Sequence, residues 1–375
     1  MANELTFLEF FAGGGMAGIG LGRQWRRLFA NDFDEGKRAA YGVNFGLDHY
    51  RGGDIHALAL ADLPLSAADL AWASSPCQDL SLAGARGGLG AARSGAFFGF
   101  WRLIEALDDA RRAPRTIVLE NVAGLLTSRG GADFASVVER LAGRGYCVTA
   151  LVLNAADFVP QSRPRLFIIG AREDFPGGCA EPSVRDSAAP PSLRLAVAAL
   201  SPGARASWRW IAARPATARS LCLADILDRD APFDPSAKTR ARLASMSAHQ
   251  RAAIDALIAS GARHVGAGYR RVRVDEGNKR VRFEARFDGL SGCIRTPAGG
   301  SSRQVILDIN RGRVRSRLMT AREAARAMGL PDTYILPTGA TAALKLIGDG
   351  VAPPVVRWLA SAVIEPSITR RRAAA

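Results

Sequence analysis

Apolar residues over the first 170 positions come in short runs, separated by longer stretches in which polar and apolar residues mix. The runs have the length of buried strands, and the stretches between them repeat apolar residues at the spacing of an amphipathic helix. This alternation predicts β–α–β units wound on both faces of one sheet. Strands are expected at 5–11, 27–31, 70–74, 116–120, 146–154 and 165–170, and helices at 99–112 and 133–144.

The pattern changes after residue 171. Proline- and glycine-rich turns come first, then a helical stretch at about 235–260, then a hairpin pattern at 269–275 and 279–287 in which arginine alternates with apolar residues. Helical patterns return from Thr320. We therefore predict an α/β fold with a Rossmann-like, doubly wound, mostly parallel sheet and a smaller mixed domain inserted into it. Residues 1–171 begin the large domain, 172–316 form the insertion, and 317–375 complete the large domain.

Composition adds a strong positive charge. The chain has 50 Lys+Arg against 35 Asp+Glu, a formal net charge of +15. Such an excess favours a polyanionic partner. Only four of the basic residues are lysines, however, and a GC-rich coding sequence would favour arginine without any selection for function. An enzyme that is merely basic stays open at this point.

Several classes of protein are excluded by what the sequence lacks. No run approaches the ~18 apolar residues that span a bilayer, and the first residues do not resemble a secretory signal. Five cysteines, an odd and scattered set, do not form a disulfide framework, and the four histidines show no metal-ligand spacing. A cytoplasmic protein without a membrane segment or a bound metal is expected.

Three loops in succession suggest a nucleotide-like cofactor. The first strand ends in a glycine-rich turn with Phe11, Gly13 and Gly15, where the backbone can approach a ligand ahead of a helix N-terminus. Asp32-Phe33 follows the second strand, and Asp54-Ile55 offers a third loop at the same edge. The first loop alone fits NAD, FAD and S-adenosylmethionine equally. A ligand-free turn, and aspartates that only cap helices, are the alternatives.

A cysteine lies just after the strand at 70–74. Pro76 fixes the backbone beside Cys77 at the carboxyl edge of the sheet, where ligands of doubly wound sheets gather. A thiol there becomes a nucleophile if a cation or a helix N-terminus lowers its pKa. A buried structural thiol is the alternative for Cys77 taken alone.

Charged residues mark two more strand ends at this edge. Glu120 closes an apolar strand, and Arg163 and Arg165 stand at i and i+2, so that both leave a strand on one side. The arginines could bind a phosphate or a polarised carbonyl oxygen. Alternatively, Glu120 caps the next helix and the arginines form a solvated edge.

The order of these features resembles the cytosine-5 DNA methyltransferase family of the bacterial type. The glycine-rich loop, Pro76-Cys77-Gln78, Glu120-Asn121-Val122 and the Gln-x-Arg-x-Arg motif that ends at Arg165 follow one another at similar separations. Residues 317–331 and 345–356 are similar to the family's last two blocks. The resemblance covers roughly residues 5–170 and 315–365, and the combination is far more specific than any single motif.

The resemblance implies an S-adenosylmethionine-dependent enzyme that methylates C5 of a cytosine flipped out of double-stranded DNA, giving 5-methylcytosine and S-adenosylhomocysteine. Cys77 would attack C6 of the cytosine, Glu120 would hold N3 and the amino group, and Arg163 and Arg165 would contact the O2 side. The implied cofactor site consists of Phe11, Gly13, Gly15, Asp32, Phe33, Asp54, Ile55, Pro76, Gly350 and Val351.

Four positions depart from the family pattern. Met16 stands where a second glycine is usual, and Glu9 replaces an Asp or Ser. The last block has Gly348-Asp349-Gly350 in place of Gly-Asn-Ser. No catalytic group is lost, but the cofactor loop is expected to differ locally.

The insertion takes the place of the family's target-recognition domain. Arg311, Arg313, Arg315 and Arg317 recur with period two, so that in a strand all four would point to one face, and the pairs 271/273 and 280/282 do the same. Such faces suit phosphate contacts or the recognition of guanine, although a solvated sheet edge would carry the same charges. The expected DNA contacts are Gln78, Arg86, Arg93, Arg295, Arg303, Arg311, Arg313 and Arg315.

Double-stranded DNA is thus the expected partner of a monomeric protein, and a restriction endonuclease encoded nearby could be a functional, not physical, counterpart. An RNA cytosine-5 methyltransferase with the same catalytic frame is the main alternative, although those relatives have a shorter insertion. A non-catalytic DNA-binding regulator would be expected to lack Cys77 or Glu120, and both are present. A flavin or NAD oxidoreductase would explain the first loop only.

Overall fold

The computed structural model describes residues 4–76, 95–176, 178–179, 181–182, 186–212, 219–275, 277–296 and 303–369. The chain divides into two compact units. Unit 1 consists of Met1–Asn154, Pro164–Ala216 and Gly350–Ala375, and unit 2 of Ala155–Arg163 and Thr217–Asp349.

Unit 1 is built on a seven-stranded sheet. Its strands are β1 (Leu5–Phe10), β2 (Trp25–Asp32), β3 (Tyr50–Gly52), β4 (Leu70–Ala73), β5 (Thr116–Asn121), β6 (Cys147–Asn154) and β7 (Pro164–Ala171), in the order β3-β2-β1-β4-β5-β7-β6. The strand β7 runs antiparallel to both of its neighbours, and the other pairings are parallel. The six strands expected from the sequence are confirmed, with bounds shifted by up to two residues. The three-residue β3 was not predicted.

The helices of unit 1 flank this sheet. They are α1 (Met16–Leu21), α2 (Glu35–Phe45), α3 (Ala96–Asp109), α4 (Ala132–Gly143), α5 (Pro191–Ala198), α6 (Pro202–Ser207), α11 (Pro353–Leu359) and α12 (Glu365–Thr369). The intervening helices, from α7 (Ser236–Ala244) to α10 (Ala340–Asp349), belong to unit 2. A short hairpin of β8 (Gly178–Cys179) and β9 (Trp210–Ile211) completes the unit. In α3 the buried residues Phe97, Phe100, Trp101, Ile104 and Leu107 recur at helical spacing and join one large apolar core.

Burial explains why these short runs form central strands. All four residues of β4 and all six of β5 are buried, as expected for strands covered by helices on both faces. Because β1, β2, β4 and β5 are parallel, their carboxyl ends meet at one edge of the sheet. Antiparallel β7 begins at that same edge, where Leu166 pairs with Asn121.

Unit 2 is built on a four-stranded antiparallel sheet. Its strands are β10 (His264–Asp275), β11 (Asn278–Arg286), β12 (Val305–Asn310) and β13 (Arg313–Leu318), in the order β11-β10-β12-β13, and its helices are α7 (Ser236–Ala244), α8 (Ala248–Ala259), α9 (Ala321–Ala327) and α10 (Ala340–Asp349). The expected hairpin is confirmed. The helical stretch predicted at 235–260 consists of two helices. The second begins at Ala248, where the Ser247 side chain caps it.

The units differ from the predicted domain boundaries. Residues 172–216 belong to unit 1, and residues 317–349 belong to unit 2. The first difference has a clear cause. Trp208 is buried in the core of unit 1 and makes edge contacts with Phe134 and Trp210. The change of composition after residue 171 therefore does not coincide with a change of unit.

Candidate active site

The glycine-rich turn after β1 is built from left-handed backbone. Phe11, Gly13 and Gly15 have φ angles of 56°, 53° and 71°. This conformation costs glycine little, but it is rare for a bulky residue such as Phe11. Strain of this kind concentrates at ligand sites, where the surrounding structure holds it in place. The loop conformation thus supports the prediction that this turn receives a ligand.

Asp32, at the end of β2, fixes the turn from the neighbouring strand. Its Oδ2 accepts a hydrogen bond from the Gly13 N–H at 2.9 Å, and its Oδ1 accepts one from the Asp34 N–H at 3.0 Å. Each carboxylate oxygen retains a second lone pair, so Asp32 can still accept from ribose hydroxyls. Phe33 beside it is 67% exposed and offers a flat apolar surface.

The turn leaves room at Gly13. A Cβ added there would meet no atom of the described residues within 4 Å. The open turn, the Asp32 carboxylate and the exposed Phe33 ring thus form a surface with a hydrogen-bond acceptor and a flat apolar ring.

The third predicted loop is tied to the second. The buried Asn31 donates from Nδ2 to the carbonyl oxygens of Arg51 at 2.8 Å and Gly53 at 3.1 Å. Asp54 accepts a hydrogen bond from the His56 N–H at 2.9 Å and so caps a short 3-10 helix, Ile55–Ala57. Asp54 is exposed and Ile55 is buried. The helix-cap alternative is correct for Asp54, and the exposed carboxylate remains accessible to a ligand.

Arg102, which sequence reasoning missed, holds this third loop from α3. Its Nη2 donates to the carbonyl oxygen of Leu58 at 2.5 Å and lies 3.4 Å from those of Ile55 and His56. Arg112, three residues beyond the end of α3, donates to the carbonyl oxygen of Pro64 at 3.0 Å. Nothing in the local sequence pattern signals these contacts, because they depend on how α3 packs.

A buried ion pair supports the turn from beneath. Glu9 is 1% exposed, and its carboxylate accepts from the Gly18 N–H of α1 and from Arg27 Nε, both at 3.2 Å. The Arg27 guanidinium lies over the rings of Phe7, Tyr41 and Phe45. Burial raises the pKa of Glu9, and the charge of Arg27 acts against this rise. Glu9 thereby anchors α1 below the cofactor turn.

Two departures from the family pattern are packed against each other. Met16 is 2% exposed, and a Cβ added at Gly350 would lie 2.2 Å from its sulfur atom. The larger residue at position 16 therefore requires the smaller one at position 350. Both belong to unit 1, where Val351 is also buried.

Glu120 and Arg165 form the ion pair of the strand edge. Glu120 pairs with Phe167 across β5 and β7, so Arg165, two residues earlier, points to the same face. Arg165 Nε lies 3.0 Å from Glu120 Oε1, and the two side chains are 16% and 8% exposed. The guanidinium thus fixes the orientation of a nearly buried carboxylate.

The segment before the predicted nucleophile is held to this same strand end. Asn121 donates from Nδ2 to Ser75 Oγ at 3.4 Å, while its Oδ1 accepts from the Val122 N–H at 2.8 Å. Pro76 is partly buried. Cys77, Gln78, Arg86 and Arg93 lie outside the described residues.

Arg163 is placed within unit 2, where it is 3% exposed. It donates to the carbonyl oxygens of Ile294 at 2.9 Å and Gly348 at 2.8 Å. The buried Gln161 adds a hydrogen bond from Nε2 to the Ala327 carbonyl oxygen and accepts one from the Ile294 N–H. The Gln-x-Arg part of the motif thus organises unit 2, and the predicted contact of Arg163 with a cytosine stays a prediction.

The arginines of residues 311–317 are divided between a turn and a strand. Arg311 lies in the turn before β13 with φ 49°, and Arg317 is 4% exposed and paired with the buried Glu323. Arg315 binds Asp308 at 2.6 Å and stacks on Phe233. Within β13, Arg313, Arg315 and Arg317 lie on one face, and the guanidinium groups of Arg315 and Arg317 both lie over the Phe233 ring. Arg311 precedes the strand, and the expected DNA contacts of Arg311, Arg313 and Arg315 stay a prediction. Arg313 is exposed.

The loop around the remaining two candidate DNA contacts is only partly described. Arg295 is exposed, Arg303 is half-buried, and both line a small cavity with Gln304 and Leu344. Residues 297–302 lie outside the described part of the chain. In the part of the chain that the structure describes, no group of His, Cys, Asp or Glu side chains could hold a metal ion. No helix there has the length and apolar character needed to cross a membrane.

The fold is that of an α/β protein whose sheet edge carries the turn of Gly13 and Asp32 and the Glu120–Arg165 ion pair. Comparison with known proteins names the family. The model of the C-5 cytosine-specific DNA methylase family matches residues 5–365. The chain belongs to that family.

Individual relatives agree with this assignment. The chain is 36% identical over 171 residues to the type II methyltransferase M.HaeII of Haemophilus aegyptius, a match that covers 44% of this chain and 50% of that relative. It is 26% identical over 388 residues to M.HpaII of Haemophilus parainfluenzae, covering 97% and 90% of the two chains. Several curated relatives, M.HaeII among them, are thus matched over only about half of their length.

Solved structures share the fold. A methyltransferase of Entamoeba histolytica, EhMeth, aligns with a TM-score of 0.63 at 12% identity over 99% of both chains. The Dnmt2 methyltransferase of S. pombe aligns with a TM-score of 0.59 at 18% identity, covering 96% of this chain and 99% of that one. The expected fold class is confirmed.

Proposed function

We propose that the protein is an S-adenosylmethionine-dependent methyltransferase that acts on C5 of cytosine in a specific sequence of double-stranded DNA. The observation that carries this proposal is the Glu120–Arg165 pair, held at the sheet edge next to the cofactor cradle. Membership of the C-5 cytosine-specific DNA methylase family supplies the reaction class. Unit 2 contains residues 217–316 of the predicted insertion, and it is the part of the protein that recognises the target sequence.

Cytosine C5 is unreactive until a nucleophile adds across the 5,6 bond. The Cys77 thiolate forms the S–C6 bond, and the electron pair of the 5,6 double bond then makes C5 nucleophilic. Glu120 holds a proton at N3 and accepts from the exocyclic amino group, so that the ring carries the displaced charge. Arg165 keeps the carboxylate in place.

Phe11, Gly13, Asp32, Phe33 and Asp54 hold the cofactor, with Gly15, Ile55, Pro76, Gly350 and Val351 completing the site. When bound there, S-adenosylmethionine supplies the methyl group that C5 receives. Loss of the C5 proton then restores the 5,6 double bond and expels the Cys77 thiolate. Because the target base lies inside a duplex, it must be flipped out to reach Cys77.

The proposal is tested by transfer of a labelled methyl group from S-adenosylmethionine to purified substrates. Label is expected in 5-methylcytosine of double-stranded DNA and not in tRNA. Label in tRNA alone would replace DNA by RNA as the substrate and leave the catalytic assignment standing. Absence of label from both would reject the proposed activity.

Arg102 is expected to act on cofactor binding through the third loop. Arg102→Ala removes the hydrogen bonds to the Leu58 carbonyl and should raise the Kd for S-adenosylmethionine about tenfold, the loss of one charged hydrogen bond. Arg112→Ala is the matched control, because it removes the hydrogen bond to the Pro64 carbonyl oxygen and leaves the hydrogen bond from Arg102 to Leu58 in place. Calorimetric titration distinguishes them, and equal effects would contradict a specific role for Arg102.

Met16 and Gly350 are expected to be coupled. Gly350→Ser alone forces the buried Met16 to repack, at a cost of about 1–3 kcal/mol in unfolding free energy together with weaker cofactor binding. Met16→Gly with Gly350→Ser restores the usual family pair and should recover both quantities. A double-mutant cycle by urea unfolding measures the coupling, and additive effects would show that the two residues act separately.

A further inference from the structure

The hairpin of unit 2 extends beyond its sheet. Strand β10 pairs with β12 only over His264–Gly268, whereas its pairing with β11 continues to Asp275. The seven residues from Tyr269 onward therefore form a two-stranded ribbon with β11, about 23 Å long at the rise of a strand. We call residues 269–275 and 278–284 the ribbon. Its outer part is exposed on both faces.

One face of the ribbon concentrates arginines. The register places Arg271 directly opposite Arg282, and Arg273 directly opposite Arg280. Like charges that face each other across strands are destabilising. Glu284, at the base of the same face, binds Arg273 (Nη2 to Oε2, 2.9 Å) and lies 3.5 Å from Arg271. Among the described side chains of this face, one carboxylate thus stands against four guanidinium groups.

The opposite face is different in character. Val272 faces Val281, with 59% and 57% exposure, and Val274 is 66% exposed. The two faces can therefore be tested separately, since substitutions on one leave the side chains of the other in place.

We propose that the arginine face of the ribbon binds the phosphate backbone of duplex DNA, in addition to whatever residues read the target sequence. Four guanidinium groups in two opposed pairs concentrate positive charge on one face of the ribbon, and phosphate oxygens are the groups that such a face attracts. A second copy of the chain would present the same positive face and be repelled by it. The major groove, ~12 Å wide, admits a two-stranded ribbon. The choice of DNA as the polyanion rests on the proposed function.

The test is the salt dependence of duplex binding by the full-length protein. Each phosphate contact contributes about 0.9 to the slope of log K against log salt. Changing Arg271, Arg273, Arg280 and Arg282 together to Gln should reduce the slope by about 3 to 4. The same four changed to Lys should retain it, because lysine neutralises phosphate equally. A Lys variant as defective as the Gln variant would indicate a structural role and overturn the proposal.

Two controls sharpen the result. The first changes Arg229, Lys238, Arg240 and Arg251 of the same unit to Gln, an equal loss of charge elsewhere, and should leave most of the slope. An equal reduction there would show that only net charge matters. The second, Val272→Thr with Val281→Thr, should bind DNA as the wild type does. Loss of DNA binding in this variant would instead show that the ribbon acts through apolar contacts of Val272 and Val281.

The outcome for the ribbon is separable from that for the enzyme activity. The binding slopes compare variants with one another and need no methyl transfer. Wild-type protein that binds DNA with an arginine-dependent slope but methylates no DNA would refute the proposed function and leave the ribbon assignment intact. Methylation of DNA by the wild type, together with a salt slope that does not change when the four arginines are replaced, would support the proposed function and refute the ribbon assignment.

Discussion

Glu120→Gln is expected to lower kcat for methyl transfer by about 10²–10⁴-fold, the range for removal of a positioned acid–base group. The amide keeps the size of the side chain, but it cannot carry the negative charge that stabilises a cytosine protonated at N3. The Kd for S-adenosylmethionine should not change, because the cofactor cradle is formed by the ends of β1, β2 and β3. Single-turnover methylation of a duplex, with calorimetry for the cofactor, measures both.

Arg165 provides the control for this prediction. If Arg165 acts by orienting Glu120, its replacement by Gln should reduce kcat, and adding it to Glu120→Gln should cost little more. A double variant whose loss equals the product of the two single losses would show that Arg165 acts independently of Glu120.

Cys77→Ser is expected to reduce methyl transfer by at least about 10³-fold while duplex and cofactor binding persist, because an alcohol is a far weaker nucleophile than a thiolate at neutral pH. A duplex with 5-fluorocytosine at the target should form a denaturation-resistant complex with the wild type, since fluorine cannot leave C5 as a proton does. The Ser variant should form none. Retention of a tenth of the wild-type rate, or an adduct mapped to another residue, would remove Cys77 from its role.

The central sheet could be predicted because its strands are fully buried. The run Leu70–Ala73 is apolar at every position, and Thr116–Asn121 has the apolar centre Ile117–Leu119, a signal that needs no tertiary context. Strand β3 has three residues, of which only Tyr50 is buried, and so leaves no run to detect. Residues 172–216 belong to unit 1 because Trp208 packs against Phe134, and composition does not reveal this contact.

Candidate site residues could be predicted where the residue type and its place at the end of a strand are informative. Contacts with residues distant in sequence could not be predicted. The ends of β1 and β2 gave Gly13 and Asp32, and the structure joins them by a hydrogen bond. The arginine periodicity places Arg315 and Arg317 on one face of β13, but it does not reveal that Arg317 is paired with Glu323 and Arg315 with Asp308. Arg102 and the fit of Met16 to Gly350 required the packing of helices to be known.

The proposed activity is tested most directly by bisulfite mapping of DNA from cells that express the wild type and from cells that express Cys77→Ser. We expect 5-methylcytosine at one fixed sequence motif in the first sample and none at that motif in the second. The motif would identify the recognition sequence. Unmodified DNA in both samples, with 5-methylcytosine in the tRNA of the wild-type cells, would contradict the assignment of DNA as the substrate.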